Sequence, residues 1–164
     1  MKKVLINMSN IHSGGGLQVA ISFVSELLKL DPPADFVQII VSSEIFEAFN
    51  SEQLLNSSWN IKIYNVYGLR SLFSKLNFMQ MDFDVVFTLF GPKYTWFKSK
   101  KDIVGFAQPG ILYFDAKLIK NISIISFLKT KLKYFLQTFF FQKADLLVVE
   151  LEHVKNSLAK KNIF

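Results

Sequence analysis

Six short apolar runs, at residues 4–8, 36–41, 61–66, 84–87, 102–107 and 144–149, recur along the chain with a helical or turn-forming stretch between each pair. Leu146-Leu147-Val148-Val149 is wholly apolar, as a strand must be when both of its faces are buried. What ends the runs is equally informative. Residues 84–87 lead into Thr88-Leu89-Phe90-Gly91-Pro92 and residues 102–107 into Gln108-Pro109-Gly110, both rich in turn chemistry. The first run passes through Ser9-Asn10-Ile11-His12-Ser13-Gly14-Gly15-Gly16 straight into Leu17, Ala20, Ile21, Val24, Leu27 and Leu28, spaced as on one helix face. Asp31-Pro32-Pro33 ends that helix. Further helices are predicted at 44–55, from Gly68 to about residue 79, as one long or two short helices within 117–143, and at 150–161. Apolar strands alternating with helices imply an α/β fold whose open parallel sheet carries helices on both faces.

A chain of 164 residues buries roughly 68–70% of the surface its unfolded form exposes, enough for one core and not for two. No repeat, low-complexity linker or boundary divides it, so residues 1–164 form a single domain. With no cysteine, and with His12 and His153 far apart, neither a disulfide framework nor an ordinary zinc site is expected, and no metal is assigned.

The formal charge of +6 is localised. Residues 31–60 hold acids and no base, whereas residues 93–143 hold many lysines against only Asp102 and Asp115. Arg70 is the single arginine, and bidentate reading of phosphates or guanine edges calls for arginine, so nucleic acid is not an expected partner. Lysine mixed with large apolar residues suits an anionic membrane surface instead. Met1-Lys2-Lys3 and the apolar run after it form a first strand rather than a signal peptide, because the run stops at Asn7. No apolar stretch approaches the ~20 residues that span a bilayer.

The glycine loop lies where parallel sheets bind ligands, beyond the carboxyl end of a strand. Gly14, Gly15 and Gly16 allow positive φ and close approach, and the free amides at the helix start favour an anion. Two glycine motifs do not fit. A nucleotide-hydrolase loop needs Lys-Ser/Thr after its last glycine, where Leu17-Gln18 stand, and the dinucleotide fingerprint needs Gly or Ala where Val19 stands.

The segment 10–20, Asn-Ile-His-Ser-Gly-Gly-Gly-Leu-Gln-Val-Ala, resembles the first loop of retaining glycosyltransferases of family 4, which have the two-domain GT-B fold. Residues 86–92 and 104–109 are similar to the middle of that family's N-terminal domain, and residues 144–150, with Val154-Lys155-Asn156-Ser157-Leu158, to its last strand and following helix. The resemblance covers nearly the whole chain. It implies a Rossmann-like acceptor-binding half of an enzyme that moves a sugar from a nucleotide-sugar donor to a glycan or lipid-linked acceptor, with no obligatory metal or cofactor. The donor-binding C-terminal domain is absent from these residues, so the chain by itself is expected to be inactive.

On that resemblance the substrate-binding candidates are His12, Gly14, Gly15, Gly16, Gly91, Pro92, Gln108 and Glu150, with Gln108 standing where relatives carry a sugar-contacting histidine. A glutamine hydrogen-bonds but does not carry a proton. No catalytic residue is assigned.

In residues 122–141, Ile125, Leu128, Leu132, Phe135, Leu136 and Phe139 recur at helical spacing and predict a core-facing stripe. Outside it, Ile124, Phe127, Phe140 and Phe141 beside Lys129, Lys131 and Lys133 predict a peripheral membrane contact. The expected location is therefore the cytoplasm, at the inner face of the membrane, in surface polysaccharide synthesis. Two other readings stand beside this one: the nucleotide-binding domain of an oxidoreductase, and a non-catalytic module docking on a membrane or partner.

Overall fold

The computed structural model describes residues 2–30, 36–49, 57–68, 71, 82–95, 98–113 and 123–163. Its elements are β1 (Val4–Met8), α1 (Gly14–Leu28), β2 (Val37–Val41), α2 (Ser43–Ala48), β3 (Asn60–Ile63), β4 (Asp82–Thr88) and β5 (Lys98–Gly105). Then come α3 (Pro109–Tyr113), α4 (Ile124–Phe141), β6 (Leu146–Val148) and α5 (Glu152–Lys160). The strands form one six-stranded sheet in the order β3-β2-β1-β4-β5-β6, every pair parallel. The fold is α/β and Rossmann-like.

Both faces of the central strands are buried, which is why they lack polar alternation. Met8, Ile39 and Val41 face α1 and α2, packing with Ala20, Val24 and Ile45. Leu5, Ile40, Phe83 and Val86 form the core of the opposite face. Val104 pairs in register with Thr88, which puts it on that second face, where α3, α4 and α5 gather around it through Ile111, Leu112, Phe141 and Leu158.

The boundaries differ from expectation where charge takes over from apolarity. β5 begins at Lys98 and β4 at Asp82, because Lys100 pairs with Asp84 at 2.6 Å and continues the ladder beyond its apolar part. β3 ends at Ile63, before Val66 turns back so that its N–H donates to Ser9 O at 2.8 Å. The helix expected from Gly68 lies, apart from Gly68 and Ser71, outside the described residues, as do residues 50–55 and 117–122 of two other predicted helices.

The largest correction concerns α4. Five members of its predicted core stripe, Ile125, Leu128, Leu132, Phe135 and Phe139, face outward, and Leu136 lines a cavity. The inward side is held instead by Tyr134, Gln137 and Phe141, three and four residues apart. Ser123 caps this helix by accepting from Ser126 N, and the Tyr134 phenol lies directly over Gly110, where a Cβ would push it aside. That contact seats α4 against α3.

Candidate functional site

Strand order reverses between β1 and β4, since β1 connects onward to β2 on one side while β4 and β5 run off on the other. In open parallel sheets the crevice outside the carboxyl ends at such a switch point is the ligand position. A cavity of about 760 Å³ opens there, lined by residues 10–13 and Gly16 after β1, Phe90 to Pro92 and Tyr94 after β4, Ala107 and Gln108 after β5, and α4. That volume lies in the range of small-molecule sites.

The loop after β1 is built on a buried polar network. Asn7 Oδ1 accepts from Ser9 N at 3.2 Å and Ser9 Oγ at 2.6 Å, while Asn7 Nδ2 donates to Thr88 Oγ1 at 3.3 Å. Asn10 then reaches across the switch point, its Nδ2 donating to Phe90 O at 2.8 Å. Gly91, at φ +82°, accepts this crossing because a Cβ there would press on the Asn10 amide at 2.9 Å. Ser42 both caps α2, accepting from Ile45 N, and donates to Ile11 O, which ties the loop to β2.

His12 is clamped rather than loose. Its Nδ1 meets Glu44 Oε2 at 2.8 Å, its Nε2 meets Val66 O at 2.9 Å, and its ring stacks on Tyr67 with centroids 4.2 Å apart. A carbonyl only accepts, so Nε2 donates to Val66. With both nitrogens engaged, His12 offers the cavity a positioned ring and joins the segments after β1, β2 and β3.

The hydrogen bond from His12 holds the Glu44 carboxyl below the usual glutamate range, with a smaller contribution from Ser43. A carboxylate with a lowered folded-state pKa adds stability that is complete above its unfolded pKa and is lost as pH falls through the folded value. Acidification from about pH 6 to pH 3.5 should therefore lower the thermal midpoint more in the unaltered chain than in Glu44→Gln, as followed by circular dichroism.

Lys129, Leu132, Lys133, Leu136 and Gln137 of α4 form the far wall. None of the described lining residues is acidic, so Lys129 and Lys133 give the cavity a positive character. Ser13 caps α1 without a side-chain hydrogen bond to its first turn, leaving amides of a helix start at the cavity edge. Tyr94 is buried against Phe140, ring centroids 5.2 Å apart, and burial pushes its phenol up while a hydrogen bond from Gln137 acts the other way. Asn10 Oδ1 and Gln137 Oε1 are buried and meet no donor among the described residues, although both side chains belong to the lining. Buried acceptors are ordinarily paired.

Of the residues singled out from sequence, His12, Gly16, Gly91, Pro92, Gln108, Lys129 and Lys133 line this one cavity. Gly14 takes φ +71° at the start of α1, and neither it nor Gly15 has an atom within 4 Å of an added Cβ. Neither belongs to the lining, and Glu150 stands exposed after β6, also away from it. Lys131 lies over the Phe127 ring at 4.8 Å, and Phe140 turns toward Tyr94. Asn7, Asn10, Tyr67, Tyr94 and Gln137 were not anticipated; an asparagine inside an apolar strand was visible in the pattern, whereas Gln137 lies opposite the apolar stripe and nothing in the sequence marked it as inward. Among the described residues no three His, Asp or Glu side chains gather to hold a metal ion, and no helix is long and apolar enough to cross a membrane. No family model, curated protein or solved structure matches this chain.

Proposed function

We propose that this chain is the acceptor-binding half of a retaining GT-B glycosyltransferase, receiving a glycan or lipid-linked acceptor at the cytoplasmic face of a membrane in surface polysaccharide assembly. The observation that carries the reading is the make-up of the switch-point cavity: two lysines, the amides of Asn10, Gln108 and Gln137, the rings of Tyr67 and Phe90, and no acid among its described lining residues. Lysines suit a phosphate or diphosphate. Amide side chains both donate to and accept from sugar hydroxyls, and Asn10 Oδ1 and Gln137 Oε1 are acceptors without donors among the described residues. In this reading Gln108 contacts the sugar, Gly16 keeps the loop low beside it, and His12 positions the loop. A donor-binding domain supplies the groups that stabilise the departing diphosphate.

The strand order also belongs to dinucleotide-binding domains, where an acid beyond the second strand takes a ribose hydroxyl. Here Glu44, the acid beyond β2, is occupied by His12 and Ser43, which weighs against that use.

Calorimetric titration with a soluble sugar diphosphate tests the proposal. Binding is expected, weakened about 10-fold by Lys129→Ala or Lys133→Ala, the loss of one charge-assisted contact. Binding of a nicotinamide dinucleotide with no response to sugar diphosphates would transfer the cavity to the oxidoreductase reading.

A further inference from the structure

One side of α4 is apolar and bare. Ile124, Ile125, Leu128, Leu132, Phe135 and Phe139 are 78%, 67%, 58%, 59%, 70% and 48% exposed. At 3.6 residues per turn all six fall within one arc of about 100°. Tyr134, Gln137 and Phe141 occupy the other side of the helix, against the domain. Lysines border the ridge on both flanks. Lys131 lies along one edge, and Lys129 and Lys133 lie along the other, where the helix surface turns into the cavity wall. Lys143, just past the helix end, sits 4.4 Å from the Phe139 ring, and α4 contains no acid.

We infer that this ridge is a docking face for an anionic membrane surface. The lysines and Ile124 are those the sequence pointed to, but Phe140 packs on Tyr94, and the rest of the ridge comes from the stripe expected in the core. A bulky aliphatic and aromatic face with lysines on its margins is the composition of a helix that lies in a lipid interface. A second copy of the chain is a poorer occupant. A two-fold contact sets the same patch against itself, so the bordering lysines would meet lysines with no acid in the helix to pair with them.

Docking has a consequence for the substrate, which rests on the acceptor reading given above. Ridge and cavity are neighbouring sides of one helix, so a membrane under the ridge brings the cavity mouth to the level of the headgroups. A lipid-linked acceptor in the same bilayer then presents its phosphate to Lys129 and Lys133, with its sugar directed between Asn10 and Gln108.

Co-sedimentation of the full chain with vesicles tests the docking face. Vesicles of phosphatidylglycerol and phosphatidylcholine are expected to bind it, pure phosphatidylcholine at least ~10-fold more weakly, and added salt to release it. Leu128→Ser with Phe135→Ser should lower the partition about 100-fold, because two large apolar side chains leave the lipid. Both residues are exposed, so the thermal midpoint of the double variant should stay within about 2 °C of the original. Lys129→Gln, Lys131→Gln and Lys133→Gln together should lower it by about 100-fold through charge alone. No binding to the anionic vesicles, unchanged binding by the Leu128/Phe135 variant, or a dimer that this variant dissociates would each overturn the proposal. The vesicles contain no lipid-linked sugar, so the result is independent of the sugar-diphosphate titration that tests the cavity.

Discussion

Replacing Gly105 with alanine is expected to cost about 4 kcal/mol or more, a large share of the ~5–15 kcal/mol that holds a domain folded. The added Cβ would fall well inside contact distance of the Leu89 backbone carbonyl. That carbonyl has no room to retreat. Leu89 N donates to Asn7 O at 3.0 Å, and two residues later Gly91 N donates to Gly105 O at 3.1 Å, so the backbone after β4 is fixed to both neighbouring strands. A flexible side chain could swing aside, but a strand-end peptide held on both flanks moves only with the sheet. Gly16→Ala is the control. An added Cβ there meets Ile11 Cγ2 at 3.8 Å and Phe90 Cδ2 at 3.9 Å, ordinary contacts, so its stability should change by less than about 1 kcal/mol. Urea unfolding of both variants checks the contrast, and a loss below ~1 kcal/mol for Gly105→Ala would mean that the two strand ends have slack.

Asn7→Ala should have the next largest effect, about 2–4 kcal/mol. Asn7 is fully buried in β1, and its amide serves Ser9 N, Ser9 Oγ and Thr88 Oγ1 together. Truncation leaves buried partners unpaired, which costs more than the bonds themselves contribute. The damage should be directional as well. Ser9 O accepts from Val66 N, so the loop after β1 and the segment after β3 loosen together. Amide hydrogen exchange should rise at residues 9–13 and 66–67 while α5 keeps its protection. Uniform acceleration along the whole chain would show instead that Asn7 acts only on global stability.

The sheet was legible in the sequence because buried parallel strands are short apolar runs, and those runs could be counted. Their order was not, since nothing in a run states its neighbour; β1 and β4 are brought together by residues 81 apart, such as Asn7 and Thr88. The glycine loop was legible as a loop, yet only Gly14 uses a left-handed backbone, and the position that cannot take a side chain, Gly105, looked like an ordinary end of an apolar run. His12 was visible as a residue but not as a clamp, because its partners Glu44 and Val66 come from two other connections. The α4 stripe misled for a physical reason. Helical periodicity finds an apolar face without saying what covers it, and here polar Gln137 points inward with Phe141 while six apolar residues face out.

The central claim is that the switch-point cavity is an acceptor site for a phosphate-bearing sugar. Amide NMR spectra recorded during titration with a soluble sugar diphosphate test it most directly, because they report where the ligand sits. Shifts are expected to concentrate at Asn10, His12, Gly16, Gly91, Gln108, Lys133 and Gln137, with α5 and the outer strand β3 unchanged. Shifts confined to the opposite, amino-terminal ends of the strands around Lys98 and Lys100, or none at millimolar ligand, would contradict it.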